Sequence, residues 1–277
     1  MPAQTKFEGA PPAAVGIARR HTSSAANVAH SRWWWLVLAL LLSSLFGVVD
    51  CKAQTGSDQN LPEADISAYP WSAIGKLNNS IGGSCTGTVI EQDLALTAAH
   101  CIFNQRTGRF LPPSSLHLLL GYSRGEFAVH ARVANYTIGP GYDPANKLRT
   151  ISSDWAVLKL TEPLPATIRP LATIDRLPAA GAGLMIGSYA AGRVHVMTKD
   201  SCQLLGARSR SNLLEHDCKA AQGSSGAPLL AMDGDKAVIV GIQVAMERPP
   251  STIMLAVAAP SIINDLPPRQ RGRDDGF

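Results

Sequence analysis

The sequence predicts an all-β protein built in two strand-rich halves, and three observations carry that expectation. From about Trp71 onward, apolar and β-branched residues come in short runs, many of them alternating with polar ones. Gly, Pro, Asn and Asp punctuate the runs, and no long stretch carries the 3.6-residue periodicity of an amphipathic helix. The hydrophobic content of 45% is ordinary for a globular chain and selects no function.

Taken in order, the first half holds the runs "WSAIGKL", "SCTGTVI", "LHLLLGY", "FAVHARVANYTI" and "DWAVLKL". A proline-punctuated stretch, "TEPLPATIRP", separates them from "LMIGSYAAG", "VHVMTK", "SCQLLGA" and "APLLAMDGDKAVIVGIQVA". In the last of these, Asp233-Gly234 stands between two apolar runs and predicts a hairpin turn. Two halves of this kind fit two barrels or a sandwich. Near the end, "PSIINDL" predicts a short helix with Ser261 as its cap, and residues 267–277 read as a disordered tail.

Residues 1–53 read differently. Arg19, Arg20 and Arg32 precede the apolar block "WWWLVLALLLSSLFGVV" at 33–49, and "CKA" before Gln54 offers a small-x-small cleavage site. That order is the organisation of a secretory signal, with the cut expected after Ala53 and residues 54–68 left as an N-terminal extension. The alternative is an uncleaved anchor facing the extracytoplasmic side, since 17 apolar residues suffice for a tilted span. The protein is therefore expected to be secreted or periplasmic, with membrane contact only if the segment stays uncleaved. Residues 1–53 also hold +3 of the formal net charge of +4, which leaves the exported part nearly neutral. No basic stripe with interleaved aromatics remains, which excludes a nucleic-acid partner.

Of five cysteines, Cys51 falls on the signal side of the cut, leaving Cys85, Cys101, Cys202 and Cys218 to form two bridges. No metal-ligand spacing occurs among them, and no cofactor motif survives inspection, so neither a metal nor a cofactor is expected.

Three short stretches could carry chemistry. "TAAHC" places His100 beside a cysteine, "SSDWAVLKL" places Asp154 at a strand entrance, and "QGSSGAPLL" sets Ser225 among glycines just before a strand. Singly they are weak, because imidazoles fill cores, acids cap turns and Ser/Gly loops are mostly turns. Together, in one exported chain, they are the parts of an acyl-transfer site. His117, His130, His195 and His216 have no motif around them and read as structural or exposed.

In order and approximate spacing, "YPWSAIG", "CTGTVI", "LTAAHC", "DWAVLKL" and "GSSGAP" resemble the chymotrypsin/trypsin-like serine peptidases, most of all the bacterial secreted branch that includes the glutamyl endopeptidases. The resemblance covers about Tyr69 to Pro260. It implies a peptidase domain over 69–266: two antiparallel six-stranded barrels, about 69–165 and 170–260, an active site in the cleft between them, and a short C-terminal helix. It implies a protein or peptide substrate, with Ser225 as nucleophile, His100 as base, Asp154 as its orienting acid, and the N–H groups of Gly223 and Ser225 as the oxyanion hole. Ser225 rather than Ser224 fits the family's Gly-x-Ser-Gly-small-Pro pattern. The resemblance also implies a Cys85–Cys101 bridge beside the histidine, and pairs Cys202 with Cys218.

Three departures follow. Animal trypsins carry an aspartate before the nucleophile that pairs with a freed N-terminal amine, whereas here that residue is Ser224, a neighbouring hydroxyl with no part in proton transfer. Gln243 stands about where glutamyl endopeptidases carry a pocket histidine. Lys219, six residues before Ser225, stands at the floor of the specificity pocket. If Lys219 enters the pocket, Asp or Glu is favoured there; if it turns to solvent, a small neutral pocket shaped by Ala220, Ala221 and Gln243 remains. Both exclude cutting after Lys or Arg. Against the endopeptidase stands a peptidase-like binding or scaffold protein with an unused site.

Overall fold

A computed structural model of the chain describes residues 60–209, 211–247 and 251–266. Residues 1–53, expected to form the signal or anchor, the first residues of the expected extension and residues 267–277 lie outside the described residues. Among those described, no helix is long and apolar enough to cross a membrane.

The first half supplies β1 (Ile74–Asn79), β2 (Ser84–Glu91), β3 (Leu94–Thr97), the short pair β4 (Phe103–Asn104) and β5 (Arg109–Phe110), then β6 (Leu116–Leu120), β7 (Val129–Ile138) and β8 (Ala156–Leu160). Six of these close into an antiparallel barrel in the order β1-β2-β3-β8-β7-β6, with β6 returning to β1. The second half supplies β9 (Ala172–Thr173), β10 (Gly183–Ser188), β11 (Thr198–Ala207), β12 (Leu213–His216), β13 (Pro228–Asp233), β14 (Lys236–Met246) and β15 (Met254–Ala258). Its order β13-β10-β11-β12-β15-β14 closes through pairing of β13 with β14. β9 lies outside this ring, added in parallel to β14. Two six-stranded antiparallel barrels and the short helix α1 (Ala259–Asp265) make up the expected fold.

Local chemistry explains most boundaries. The expected hairpin forms one residue later than predicted: Asp233 ends β13 and pairs with Lys236, so Gly234 and Asp235 make the turn, with Gly234 at φ +61°. The run "VHVMTK" becomes strand only from Thr198, because the carbonyls of His195 and Met197 accept from Arg124 and Ala64 instead of from a sheet neighbour. Ser261 lies inside α1 rather than capping it: Ala258 holds the cap position without a side-chain bond, and Ser261 Oγ donates back to the Ala258 carbonyl at 2.7 Å. The described part of the extension packs as part of the domain, with Lys199 N–H donating to Pro62 O, and Glu63 ion-paired to both Arg124 and Arg193.

One apolar cluster fills the first barrel and continues through Tyr189, Leu213, Ile239 and Ile262 of the second half, so the halves share a core. A second cluster, with Leu184, Ile186, Leu229, Val240 and Ala256, fills the second barrel. Both expected disulfides are present, Cys85–Cys101 and Cys202–Cys218, each closing a separation of 16 residues. A loop of that size is worth about 3 kcal/mol in the chain-entropy description of cross-linking.

Inside the second barrel sits a polar pair. His216 on β12 is fully buried, and its Nε2 lies 2.7 Å from Oε1 of Gln243 on β14. The Gln243 amide nitrogen donates to Ala245 O at 2.8 Å, so its oxygen is left to accept. His216 Nε2 therefore carries the proton, and its Nδ1 is buried without a partner. Burial, against weaker help from Gln243 and Asp217, pulls this imidazole down to about 4. The unfolded chain takes up the proton near pH 6.5 and the native state only near 4, so stability is fully present above pH 6.5 and falls as the pH drops between these values. We expect a loss of roughly 3 kcal/mol of unfolding free energy between pH 7 and 4 from this group alone. Urea unfolding across that range checks it: His216→Gln should flatten the pH dependence, and an unchanged slope would contradict the assignment.

Candidate active site

His100 lies in a single 3-10 turn, Ala99–Ile102, that β3 delivers to the end of the first barrel. Asp154 ends another such turn, Ile151–Ser153, just before β8, and β3 and β8 are paired neighbours. The two side chains therefore meet from adjacent strand ends. His100 Nδ1 is 2.7 Å from Asp154 Oδ2, and the His100 backbone N–H donates to Oδ1 at 2.9 Å. Two contacts from one carboxylate fix both the ring and its backbone, and Asp154 is 4% exposed, out of reach of competing water. An acceptor at Nδ1 puts the proton there and leaves Nε2 as the basic nitrogen. Tyr142 borders this pair; burial first, and then the Asp154 charge, raises its phenol so that it stays neutral.

Ser225 comes from the second barrel, in the loop between β12 and β13. Two glycines let that loop fold tightly. Gly223 has φ +96° and a Cβ there would stand 2.4 Å from Tyr189 O; Gly226 has φ +80° and its Cβ would meet Thr86 O and Thr97 Oγ1 at 2.3 Å. The Gly226 approach is a contact between barrels. It sets the loop directly on β2 and β3, three residues before His100, and Thr86 N–H seals it by donating to Ser225 O at 2.9 Å. Among the described residues, the N–H groups of Gly223 and Ser225 donate to no protein acceptor. Two unused donors beside an accessible serine can stabilise developing negative charge on a bound carbonyl oxygen.

The remaining candidates fall elsewhere. Lys219 is exposed, with its backbone N–H held by Asp200 at 2.8 Å. Gln243 contributes backbone to the site, accepting from Gly226 N–H, while its side chain is spent on His216 and Ala245. Cys85, His100 and Cys101 cluster within 4.8 Å, but the two sulfurs are bonded to each other and present no thiolate to a metal. A cavity of about 650 Å³ lies between the β4–β5 pair after His100 and residues Asp143–Lys147 before Asp154, with Phe103 and Phe110 in its wall. Sequence reading missed Thr86 and Ser188. Thr86 stands in the quoted "CTGTVI", but nothing local marks its hydroxyl as a contact to residues 137 positions away.

A family model described as Trypsin matches residues 59–264. Trypsin alpha of Drosophila erecta is 28% identical over 246 residues, spanning 75% of this chain and 87% of that protein. Glutamyl endopeptidase of Bacillus licheniformis is 29% identical over 120 residues, spanning 42% of this chain and only 35% of that enzyme's length. The solved structure of a Glu endopeptidase in complex with MPD shares the fold with a TM-score of 0.63 at 20% identity, covering 74% of this chain and 94% of that one.

The Gly226 contact yields a direct expectation. Gly226→Ala combines a left-handed backbone with a methyl group inside van der Waals distance of two buried oxygens, so it should cost at least about 3 kcal/mol, or roughly 10 °C in melting temperature. Thermal unfolding of the variant checks this; a melting temperature within 2 °C or so of the parent would show that the barrels do not meet as described.

Proposed function

Because the chain belongs to the trypsin family of serine peptidases, we propose that it is an exported endopeptidase that cleaves peptide bonds through Ser225, His100 and Asp154. The observation that carries this reading is the double hold of Asp154 on His100, at 2.7 and 2.9 Å, beside a loop whose Gly223 and Ser225 amides are unused. Ser225 Oγ attacks the substrate carbonyl while His100 Nε2 takes its proton. The oxygen of the tetrahedral intermediate gains negative charge and receives the two amide N–H groups. His100, now cationic and stabilised by the Asp154 carboxylate, protonates the departing amine and leaves an acyl-enzyme. Water then attacks the acyl carbonyl, giving its proton to His100; the C–O bond to Ser225 breaks, the acid leaves, and His100 returns the proton to Ser225 Oγ. No cofactor takes part.

For location, two disulfides support an oxidising compartment, and the export reading of residues 1–53 supplies the route to it. For side-chain preference, exposure of Lys219 supports a neutral pocket bordered by Ala220 and Ala221 over a charged one, with the Gln243 side chain turned away to His216. With Lys219 where tryptic enzymes carry an acid, the expected preference is non-tryptic.

Ser225→Ala should lower kcat/KM by roughly 10³-fold or more and abolish labelling by a fluorophosphonate probe that modifies the parent chain. A folded parent that resists the probe would instead identify a peptidase-like binding protein. Profiling with a peptide library tests specificity: preferred cutting after Arg or Lys would overturn the neutral pocket.

A further inference from the structure

We propose that the loop bearing Ser225 is held in its working shape by a clamp of neutral hydroxyls, Thr86 from the first barrel and the Ser188–Ser224 pair from the second, so that the enzyme is assembled without any N-terminal ammonium. The proposal rests on Ser225 being the nucleophile and concerns how that same site is regulated.

Each peptide plane from Gln222 to Ser225 is anchored through its carbonyl. Gln222 O accepts from Ala191 N–H at 2.6 Å, Gly223 O accepts from Thr86 Oγ1 at 3.0 Å, and Ser224 O accepts from Ala227 N–H at 2.9 Å. In a trans peptide the N–H points opposite to the carbonyl. Fixing Gln222 O and Ser224 O therefore aims the N–H groups of Gly223 and Ser225 outward, while the intervening Ser224 N–H is spent on Ala221 O at 2.9 Å.

The side chains complete the clamp. Thr86 is fully buried; its hydroxyl accepts from Tyr189 N–H at 3.2 Å, so its single proton goes to Gly223 O. Ser224 is also fully buried. Its Oγ accepts from Ala221 N–H at 3.2 Å and meets Ser188 Oγ at 2.9 Å, and Ser188 is 3% exposed. Every member is neutral, and among the described residues no Lys, Arg or His side chain bonds to either serine. An ammonium brought to this pair would find no carboxylate to offset its loss of water. The described residues ahead of the barrels are committed elsewhere: Ala64 N–H donates to Met197 O, Lys199 N–H donates to Pro62 O, and Glu63 is held by Arg124 and Arg193. Thr86, Ser188 and Ser224 are thus positioning residues, acting on the reaction through the amides of Gly223 and Ser225.

Steady-state kinetics and fluorophosphonate labelling rates on the full chain test this. Thr86→Val keeps the shape and removes the hydroxyl; kcat should fall about ten- to a hundredfold with KM within about threefold of the parent, and Thr86→Ser should restore it. Ser224→Ala and Ser188→Ala should each lower kcat about tenfold, and the double variant no further than the worse single, since both remove one bond. Acetylating the α-amino group of the active protein should leave kcat unchanged. Should Thr86→Val fail to fold, as its melting curve would reveal, the serine cycle decides alone. Folded serine variants with kcat within about twofold of the parent, or inactivation by acetylation, would overturn the clamp. If the parent itself takes no fluorophosphonate, the peptidase reading falls and the clamp with it; if the parent reacts and the variants react as fast, only the clamp falls.

Discussion

The backbone of Gly226, at φ +80°, lies so close to β2 and β3 that even a methyl group would stand 2.3 Å from Thr86 O and Thr97 Oγ1. This approach joins the two barrels beside the loop that bears Ser225. His100 and Asp154 both belong to the first barrel, while Ser225 and its amides belong to the second. Without a glycine there, the loop would have to stand off from the first barrel. The disulfide Cys85–Cys101 braces the same junction, tying the His100 turn to β2, with Cys101 Sγ 3.7 Å from Ser225 O.

Around this junction the polar groups are allotted with little redundancy. Asp154 gives one oxygen to the His100 ring and the other to its backbone. Thr86 gives its N–H to Ser225, its hydroxyl proton to Gly223, and its carbonyl to Thr97. These groups are buried, where a hydrogen bond left unmade costs more than the bond contributes when made, so the arrangement is held in a single form. Among the described residues, the Gly223 and Ser225 amides of this loop donate to no protein acceptor. Rigid neighbours and idle donors are what electrostatic preorganisation requires.

The second barrel carries a different polar device. His216 Nε2 donates to Gln243 in the barrel interior while its Nδ1 stays without a partner, and burial, against the weaker pull of Gln243, keeps the imidazole neutral and makes the fold acid-sensitive. Gln243 also links this interior to the site, because its backbone bonds both Gly226 and Ala227. A side chain that looks from sequence like pocket lining is thus a piece of scaffold whose backbone positions the loop that bears Ser225.

The sequence by itself determined the strand-rich halves, the hairpin to within one residue of Asp233-Gly234 and the stretches holding His100, Asp154 and Ser225. Each of those signals is local: a period of two, a turn dipeptide, a motif of a few adjacent residues. The helix near 259–265 was legible for the same reason, although Ser261 proved an interior residue because its hydroxyl found the Ala258 carbonyl one turn back. Tertiary structure alone decided that β9 would add in parallel outside the ring and that Lys219 would stay exposed. It alone brought the buried His216 to Gln243, and Thr86 and Ser188 to the loop around Ser225. Those contacts join residues 27 to 137 positions apart, and a hydroxyl or imidazole gives no local sign of which distant carbonyl or side chain it will meet once two closed barrels share a core.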